Sequence, residues 1–137
     1  MIVGAPGGAS YAGIVQGGVY TFSRVEDTWT ETNKLIAWDV VSPVRDDFGR
    51  SVALDGNTLV VGAPRADGAE GSEGEGAAYV FIRTGDTWTE ATKLIASDGA
   101  GGDAFGTSVV LDRWRLVIGA PGANEGQGAA YLFWWPW

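Results

Sequence analysis

The sequence predicts an all-β protein built from propeller-type blades, each a sheet of four antiparallel strands. The first observation is a Gly-Ala-Pro triplet that occurs three times, at intervals of 58 and 57 residues, beginning at Gly4, Gly62 and Gly119. The second is a Phe-Gly dipeptide that occurs twice, 57 residues apart, at Phe48 and Phe105. A fixed period of several tens of residues, with four short strands in each period, is typical of propeller blades.

Two longer segments repeat together with these landmarks. Residues 27–37 (DTWTETNKLIA) return as 86–96 (DTWTEATKLIA), with nine of the eleven positions identical. An aromatic segment occurs three times, at 17–22 (GGVYTF), 76–81 (GAAYVF) and 128–133 (GAAYLF). The chain therefore predicts about two and a half units: a partial blade with strands two to four at 1–38, a complete blade at 39–98 and a partial blade with strands one to three at 99–137.

The complete unit shows how each strand is predicted. Residues 48–54 alternate between large and small side chains, which is the period-two signal of a strand. The segment 55–57 (DGN) predicts a hairpin turn, because glycine and asparagine accept positive φ angles. Residues 58–61 are apolar on both faces, as expected of a strand buried between two sheets. The aromatic segment supplies strand three, and the residues after the turn at 84–86 supply strand four.

The partial units follow the same order. The first begins at what would be its second strand, since residues 1–6 (MIVGAP) match 59–64 (LVVGAP). A small-residue loop is expected at 7–16 and a non-helical connection at 38–47. In the third unit, residues 134–137 (WWPW) replace the fourth strand, and their rings indicate a truncated unit or an oligomer contact rather than a pocket. Since propellers close with four to eight blades, we expect an incomplete ring that self-associates or continues in a longer chain.

Composition excludes several functional classes. The chain has 17 acidic and 9 basic residues, a net charge of −8 and a pI near 4.3, which disfavours binding to nucleic acids or anionic lipid surfaces. It has no cysteine and no histidine, which excludes disulfides, thiolate or imidazole metal ligands, and catalysis by a Cys nucleophile or a His base. No apolar run approaches the roughly 18 residues of a spanning helix, and no signal peptide is recognisable in this chain.

The combination of Phe-Gly in the first strand, Gly-Ala-Pro after the second and an aromatic third strand resembles the FG-GAP repeat, the blade unit of the integrin α-chain propeller. The shorter microbial version of this repeat is the more similar one. The resemblance covers nearly the whole chain. It implies four-stranded blades, an extracellular or cell-surface location, and a role in adhesion or ligand binding.

The resemblance also raises the question of calcium. Integrin-type blades commonly carry a D-x-D-x-D-G calcium loop between their first two strands. Here that location holds only 54–57 (LDGN) in one unit and 111–115 (LDRWR) in the other. One carboxylate cannot provide the six to eight oxygen ligands that calcium requires, so no cofactor is expected at these positions.

Acidic residues elsewhere are weak metal candidates. The loop at 65–76 is rich in glutamate and glycine, and aspartates recur at matching places in the two connections. A cation could be held by some of these residues, namely Asp67, Glu70, Glu73, Asp98 and Asp103. The alternative is that the loop is solvated and that the aspartates make Asx turns, as their counterparts Asp39 and Asp46 also could.

Aromatic and cationic residues supply the ligand-binding candidates. The tyrosines of the aromatic segment (Tyr20, Tyr79 and Tyr131) are expected to pack between blades, whereas for Trp29 and Trp88 packing and sugar stacking are equally plausible. The segment Arg113-Trp114-Arg115 departs from the repeat at a hairpin turn. This departure is compatible with two interpretations, a binding specificity of this unit or sequence drift.

Three functions remain compatible with the sequence. The first is a non-enzymatic binding or adhesion scaffold, extracellular or at the cell surface, with a protein or carbohydrate partner. The second is a lectin-like module in which Trp29, Trp88 and Trp114 stack on sugars. The third is a polysaccharide-active enzyme on a propeller, ranked last because the repeat singles out no pair of carboxylates.

Overall fold

A computed structural model describes residues 1–8, 10–11, 14–15, 17–39, 45–67 and 73–134. The strands and the one short helical turn of these residues are, in chain order, β1 (Ile2–Ala5), β2 (Ser10–Tyr11), β3 (Ile14–Val15), β4 (Gly18–Val25), β5 (Thr28–Leu35), β6 (Ser51–Asp55), β7 (Thr58–Ala63), β8 (Ala77–Thr84), β9 (Thr87–Leu94), β10 (Ser108–Asp112), β11 (Arg115–Ala120), α1 (Ala123–Gly126) and β12 (Ala129–Trp134).

Three antiparallel sheets stack in sequence order. The first has the order β1-β4-β5, the second β6-β7-β8-β9 and the third β10-β11-β12, while β2 and β3 form a separate small hairpin. In every sheet, consecutive repeat strands are neighbours, as in the blade of a propeller. The predicted all-β architecture of four-stranded blades in an incomplete ring is confirmed, and the described strands contain no closed barrel.

The first strand of a blade starts later than the alternating pattern of the sequence predicts. Strand β6 begins at Ser51 rather than Phe48, because Asp47 and Gly49 adopt φ angles of 55° and 92° that turn the chain before the strand. The small-residue loop of the first unit contains the hairpin β2-β3, which the sequence did not indicate. Nor did it indicate α1, a single turn in which Asn124 and Glu125 have positive φ.

The second sheet is buried on both faces, as predicted for its second strand. Leu59 and Val61 pack in a core shared with Val19 and Leu35 of the first sheet. Val60, between them, points the other way, into a core shared with the third sheet. These two inter-blade cores contain most of the buried apolar side chains of the described residues, so the stability of the stack comes from contacts between sheets.

Each Phe-Gly dipeptide joins two neighbouring sheets. The Phe48 ring packs edge-on against Tyr79 and Phe81 of its own sheet, with ring centroids 5.4 and 6.1 Å apart. Its backbone forms a parallel bridge with Gly17 of the preceding sheet. Phe105 repeats the arrangement, packing on Tyr131 and Phe133 at 5.3 and 6.2 Å and bridging Gly76. One dipeptide thus closes a blade and attaches it to its neighbour.

The glycine of Gly-Ala-Pro permits this attachment. A Cβ atom on Gly62 would overlap the backbone carbonyl of Gly106 in the next sheet, and one on Gly4 would overlap the carbonyl of Gly49. Gly49 and Gly106 themselves have φ angles near +90°, which L side chains rarely adopt. The two sequence landmarks are therefore the two halves of one backbone contact.

We predict that Gly62→Ala lowers the free energy of unfolding by about 2–3 kcal/mol, because the added methyl group forces neighbouring backbones apart. Gly119→Ala is the matched control. Both methyl groups would meet a serine hydroxyl of their own sheet (Ser51 or Ser108), but only the one at Gly62 meets the next blade. Urea unfolding at a protein concentration at which the chain is monomeric should show a loss below about 1 kcal/mol for the control, and equal losses would contradict this account of the inter-blade contact.

Candidate functional site

The antiparallel strands give the stack two different ends. At the loop end lie the long connections of each unit, including residues 64–67, 73–76 and 95–107. At the turn end lie the tight hairpin turns of the sheets, at 26–27, 56–57, 85–86 and 113–114. The candidate residues of the sequence divide between these ends, with carboxylates at the first and aromatic and cationic groups mainly at the second.

Lys93 is the cation at the centre of an acidic cluster at the loop end. Its Nζ atom lies 2.6 Å from Oδ2 of Asp39 and donates to the backbone carbonyl of Asp67 at 3.4 Å. The Tyr79 hydroxyl donates to the other oxygen of Asp39 at 2.9 Å. Burial and the neighbouring Asp39 carboxylate raise the pKa of Tyr79 well above its usual range, so the phenol stays neutral and remains a donor. Asp39 is therefore held by two partners from the second blade.

Asp46 is the least compensated carboxylate of this cluster. Its side chain is only 6% exposed, and its Oδ1 atom has no hydrogen-bond partner among the described residues. Its repeat counterpart Asp103 accepts a hydrogen bond from the Ala100 backbone N–H at 2.9 Å. The residue that matches Ala100 in the sequence is Pro43, and proline has no N–H to donate. Burial, followed by repulsion from Asp67 and Asp39, raises the pKa of Asp46 to about 6.

Glu90 contributes a second perturbed carboxyl group. Its Oε2 atom accepts the backbone N–H of Trp38 at 3.4 Å, while Oε1 is buried without a partner in the described part of the chain. Burial raises the pKa of Glu90 to about 7, and the Asp39 carboxylate adds to this effect. Asp39, Asp46 and Glu90 therefore lie around Lys93 between the first two sheets, while Arg45 and Arg65 pair with Asp47 at the same end.

The described weak metal candidates make contacts within the protein. Asp98 accepts a hydrogen bond from the Tyr131 hydroxyl at 2.8 Å, and Asp103 holds its own loop through Ala100. Glu73 contributes a backbone carbonyl to the N–H of Gly102 at 3.2 Å. Glu70 lies outside the described residues. Within the described ranges, no three acidic side chains come together in a way that could hold a metal ion.

The hairpin turn that follows β6, where integrin-type blades carry their calcium loop, makes a contact with the next blade. Oδ2 of Asp55, at the end of β6, accepts the backbone N–H of Arg113 in the next blade at 2.7 Å. Arg113 has a φ angle of 50°, so Asp55 stabilises an unusual backbone conformation as well as a contact between blades. Trp114 is 62% exposed beside it, and Arg115 begins β11 with its guanidinium 3.8 Å from Asp112. Trp114 therefore presents much of its ring to solvent.

Trp29 and Trp88 occupy the same register position in their sheets but have different surroundings. Each lies opposite an arginine of the neighbouring strand, whose guanidinium carbon is 5.9 Å from the ring of Trp29 and 5.6 Å from that of Trp88. Trp29 is 48% exposed, whereas Trp88 is half-buried against the core between the first two sheets. The two repeated tryptophans therefore differ in burial although their sequence positions match.

A cleft opens beside Trp88 at the turn end, between the first and second sheets. We call it the inter-blade cleft. It has a volume of about 170 Å³, and its polar and aromatic lining includes Thr21, Thr32, Asn33, Arg83, Asp86 and Trp88. Only Trp88 was a candidate from the sequence. The available signal was the repeat itself, because Thr32 and Asn33 are the two positions at which 27–37 differs from 86–96.

The third sheet exposes an apolar face that we call the outer face, formed by Val110, Val117, Leu132 and Trp134. By repeat position, Val117 and Leu132 correspond to Val60 and Val80, which are fully buried beneath the third sheet. Leu132 is 55% exposed. Among the described residues, no further sheet lies over this face.

Stacked antiparallel sheets joined by recurring Phe-Gly and Gly-Ala-Pro contacts define an array of propeller-type blades. The family model described as FG-GAP repeat matches residues 29–81 and 88–133, and the chain belongs to this family. The predicted family is confirmed. FG-GAP domains are generally involved in binding rather than catalysis. A search of curated proteins finds no match. The described residues contain no helix long and apolar enough to cross a membrane.

We predict that stability falls as pH rises through the range in which Asp46 and Glu90 titrate. The folded chain keeps the Asp46 proton up to about pH 6, whereas the unfolded chain loses it near 3.8. Unfolding therefore releases a proton between these values, and the free energy of unfolding decreases with pH. At about 1.4 kcal/mol per pKa unit, Asp46 accounts for a loss on the order of 2–3 kcal/mol.

Asp46→Asn should remove most of this loss, so that the variant exceeds the wild type in stability at pH 8 and its profile is flatter between pH 4 and 7. Urea unfolding at several pH values measures the effect. Asp103→Asn, at the same repeat position, is the control and should bring no gain at pH 8, since Asp103 already accepts the Ala100 N–H. An unchanged slope in the Asp46 variant would refute the assignment.

Proposed function

We propose that this protein is a non-enzymatic binding scaffold that works outside the cell or at its surface. One observation carries the proposal. The residues that repeat, such as Phe48, Gly49 and Gly62, are used to attach one blade to the next, whereas residues that break the repeat, such as Trp114 and Asn33, line a cleft or a solvent-exposed turn. A rigid stack with variable edges suits recognition.

The chemistry of the exposed surface favours protein or carbohydrate partners. A net charge of −8 opposes binding to nucleic acids and to anionic membranes. We propose that binding needs no metal cofactor, because Asp39 and Asp98 are engaged with tyrosine and lysine donors and no three acidic side chains of the described residues come together. Extracellular adhesion, the role implied by the integrin resemblance, fits this description.

The outer face adds a further element to the proposal. We propose that it is covered by another blade of the same repeat type, provided for the isolated chain by a second copy. Gly119 stands on β11 where Gly62 stands on β7, in position to receive the backbone of a next blade. The apolar side chains around it match those that are buried between the second and third sheets.

A panel of soluble polysaccharides distinguishes binding from catalysis. We expect at least one polysaccharide to retard the chain in affinity electrophoresis without any release of new reducing ends. Turnover that is abolished by a single Asp or Glu substitution would show an enzyme and overturn the proposal. Failure of every polysaccharide to retard the chain would remove carbohydrate from the proposed partners.

We predict that the 137-residue chain self-associates and that Leu132→Lys shifts it to the monomer. A lysine at the centre of the outer face would have to lose its hydration in the contact. Light scattering coupled to gel filtration measures the mass, and a chelator should leave it unchanged. Val25→Lys, at a more exposed apolar position of the first sheet near the turn end, is the control and should keep the wild-type mass. A wild-type monomer would contradict the proposed contact.

A further inference from the structure

We propose that the inter-blade cleft is a binding site for one uncharged sugar unit of a carbohydrate partner. This inference rests on the proposed function as a binding scaffold and adds to it a location and a ligand class. It is argued from the repeat, from the groups that line the cleft and from its size.

The repeat shows where the first blade has been altered. Residues 27–37 and 86–96 differ at only two positions, where Thr32 and Asn33 stand in place of Ala91 and Thr92. On the neighbouring strand, Thr21 stands where the second blade has Val80, a fully buried residue. All three polar residues of the first blade line the same cleft. Drift at unrelated surface positions would not be expected to place all three on one wall.

Burying these polar groups costs free energy unless each of them has a hydrogen-bond partner. The Thr21 and Thr32 hydroxyl oxygens are 2.8 Å apart, and Thr32 also donates to the Thr21 carbonyl at 3.1 Å. The pair satisfies the buried Thr21 hydroxyl but leaves oxygen lone pairs that can accept further bonds. Asn33 uses its Nδ2 atom for the Asp86 carbonyl at 3.3 Å, and in the described structure its Oδ1 makes no hydrogen bond. The first blade therefore presents oxygen acceptors, together with the Met1 ammonium group, which donates to the Phe22 carbonyl at 3.0 Å.

The second blade supplies an aromatic surface and two charged groups. Trp88 is half-buried against the inter-blade core, and the Arg83 guanidinium carbon lies 5.6 Å from its ring centroid. Arg83 is itself fixed, since its Nε and Nη2 atoms donate to Oδ1 of Asn57 at 3.2 and 3.1 Å. A ring whose position is set by packing and by a fixed cation offers a preorganised contact surface.

A sugar ring matches this combination of groups. Its C–H face can pack on the indole of Trp88, and its hydroxyl groups can donate to the Asp86 carboxylate and to Asn33 while accepting from Arg83. Asp86 and the net charge of the chain disfavour acidic sugars. A purely apolar ligand would leave the acceptors unpaired.

The size of the cleft limits the occupant. Its volume of about 170 Å³ is below the roughly 300 Å³ at which pockets begin to enclose drug-sized ligands. One ring fits this space, and the rest of a longer carbohydrate would lie along the open turn end. Binding of a single ring should accordingly be weak, with a dissociation constant on the order of 1–10 mM.

The test uses methyl glycosides of glucose, galactose, mannose and N-acetylglucosamine as probes, titrated into the ¹⁵N-labelled chain. We expect one of them to shift the Trp88 indole resonance with saturation in the millimolar range. The double variant Thr32→Ala, Asn33→Thr introduces the residues that the second blade itself uses at these positions, so the fold should be retained. It should weaken binding at least tenfold.

Trp29→Ala is the control, because Trp29 has the same repeat position but lies outside the cleft. It should leave glycoside binding unchanged. Absence of binding by all four glycosides, or equal binding by the double variant, would overturn the assignment of the cleft. If a polysaccharide still retards the double variant as it does the wild type, the scaffold function stands and only the cleft proposal fails. Release of reducing ends would instead remove the scaffold function.

Discussion

The structure depends on one contact, the close approach of backbones between neighbouring blades at glycine. At Gly62 and Gly106 the backbones of two neighbouring sheets are so near that a single methyl group would not fit between them. Such an approach aligns the sheets face to face and brings the apolar side chains on either side into the same core. The hydrophobic effect supplies most of the free energy, but the glycine contact sets the distance and register at which it acts.

This constraint explains why the landmarks of the sequence occur as a pair. The Phe48 ring packs against Tyr79 of its own sheet. Gly49, which follows it, has a positive φ angle, and the Phe48 backbone forms a bridge with the preceding sheet. The glycine of Gly-Ala-Pro leaves room for the Phe-Gly backbone of the next blade. Either motif without the other would leave an unfilled space or a steric overlap. The motif is therefore a requirement of stacking, and by itself it says nothing about a ligand.

The two ends of the stack use their polar groups differently. At the loop end, carboxylates such as Asp39 and Asp103 are engaged in holding the connections, whereas Oδ1 of Asp46 has no hydrogen-bond partner in the described part of the chain. At the turn end, the arginine and tryptophan pairs of the hairpins are partly open, and the cleft between the first two blades has acceptors on one wall and a fixed ring on the other. The proposed recognition site lies at the turn end, where part of the ring and cation surface stays open although Asp55 and Asn33 also make hydrogen bonds between blades.

The sequence by itself determined the strand order, the repeat unit and the family, because these depend on local alternation, turn chemistry and periodic glycine. It could not determine the surroundings of repeated residues. Trp29 and Trp88 are alike in sequence and register, yet one is exposed and the other half-buried, since only the second has a preceding blade packed against it. The cleft and the outer face likewise depend on tertiary structure, because the burial of a residue depends on which sheet lies opposite it. Repeated positions have the same sequence pattern but different neighbouring sheets.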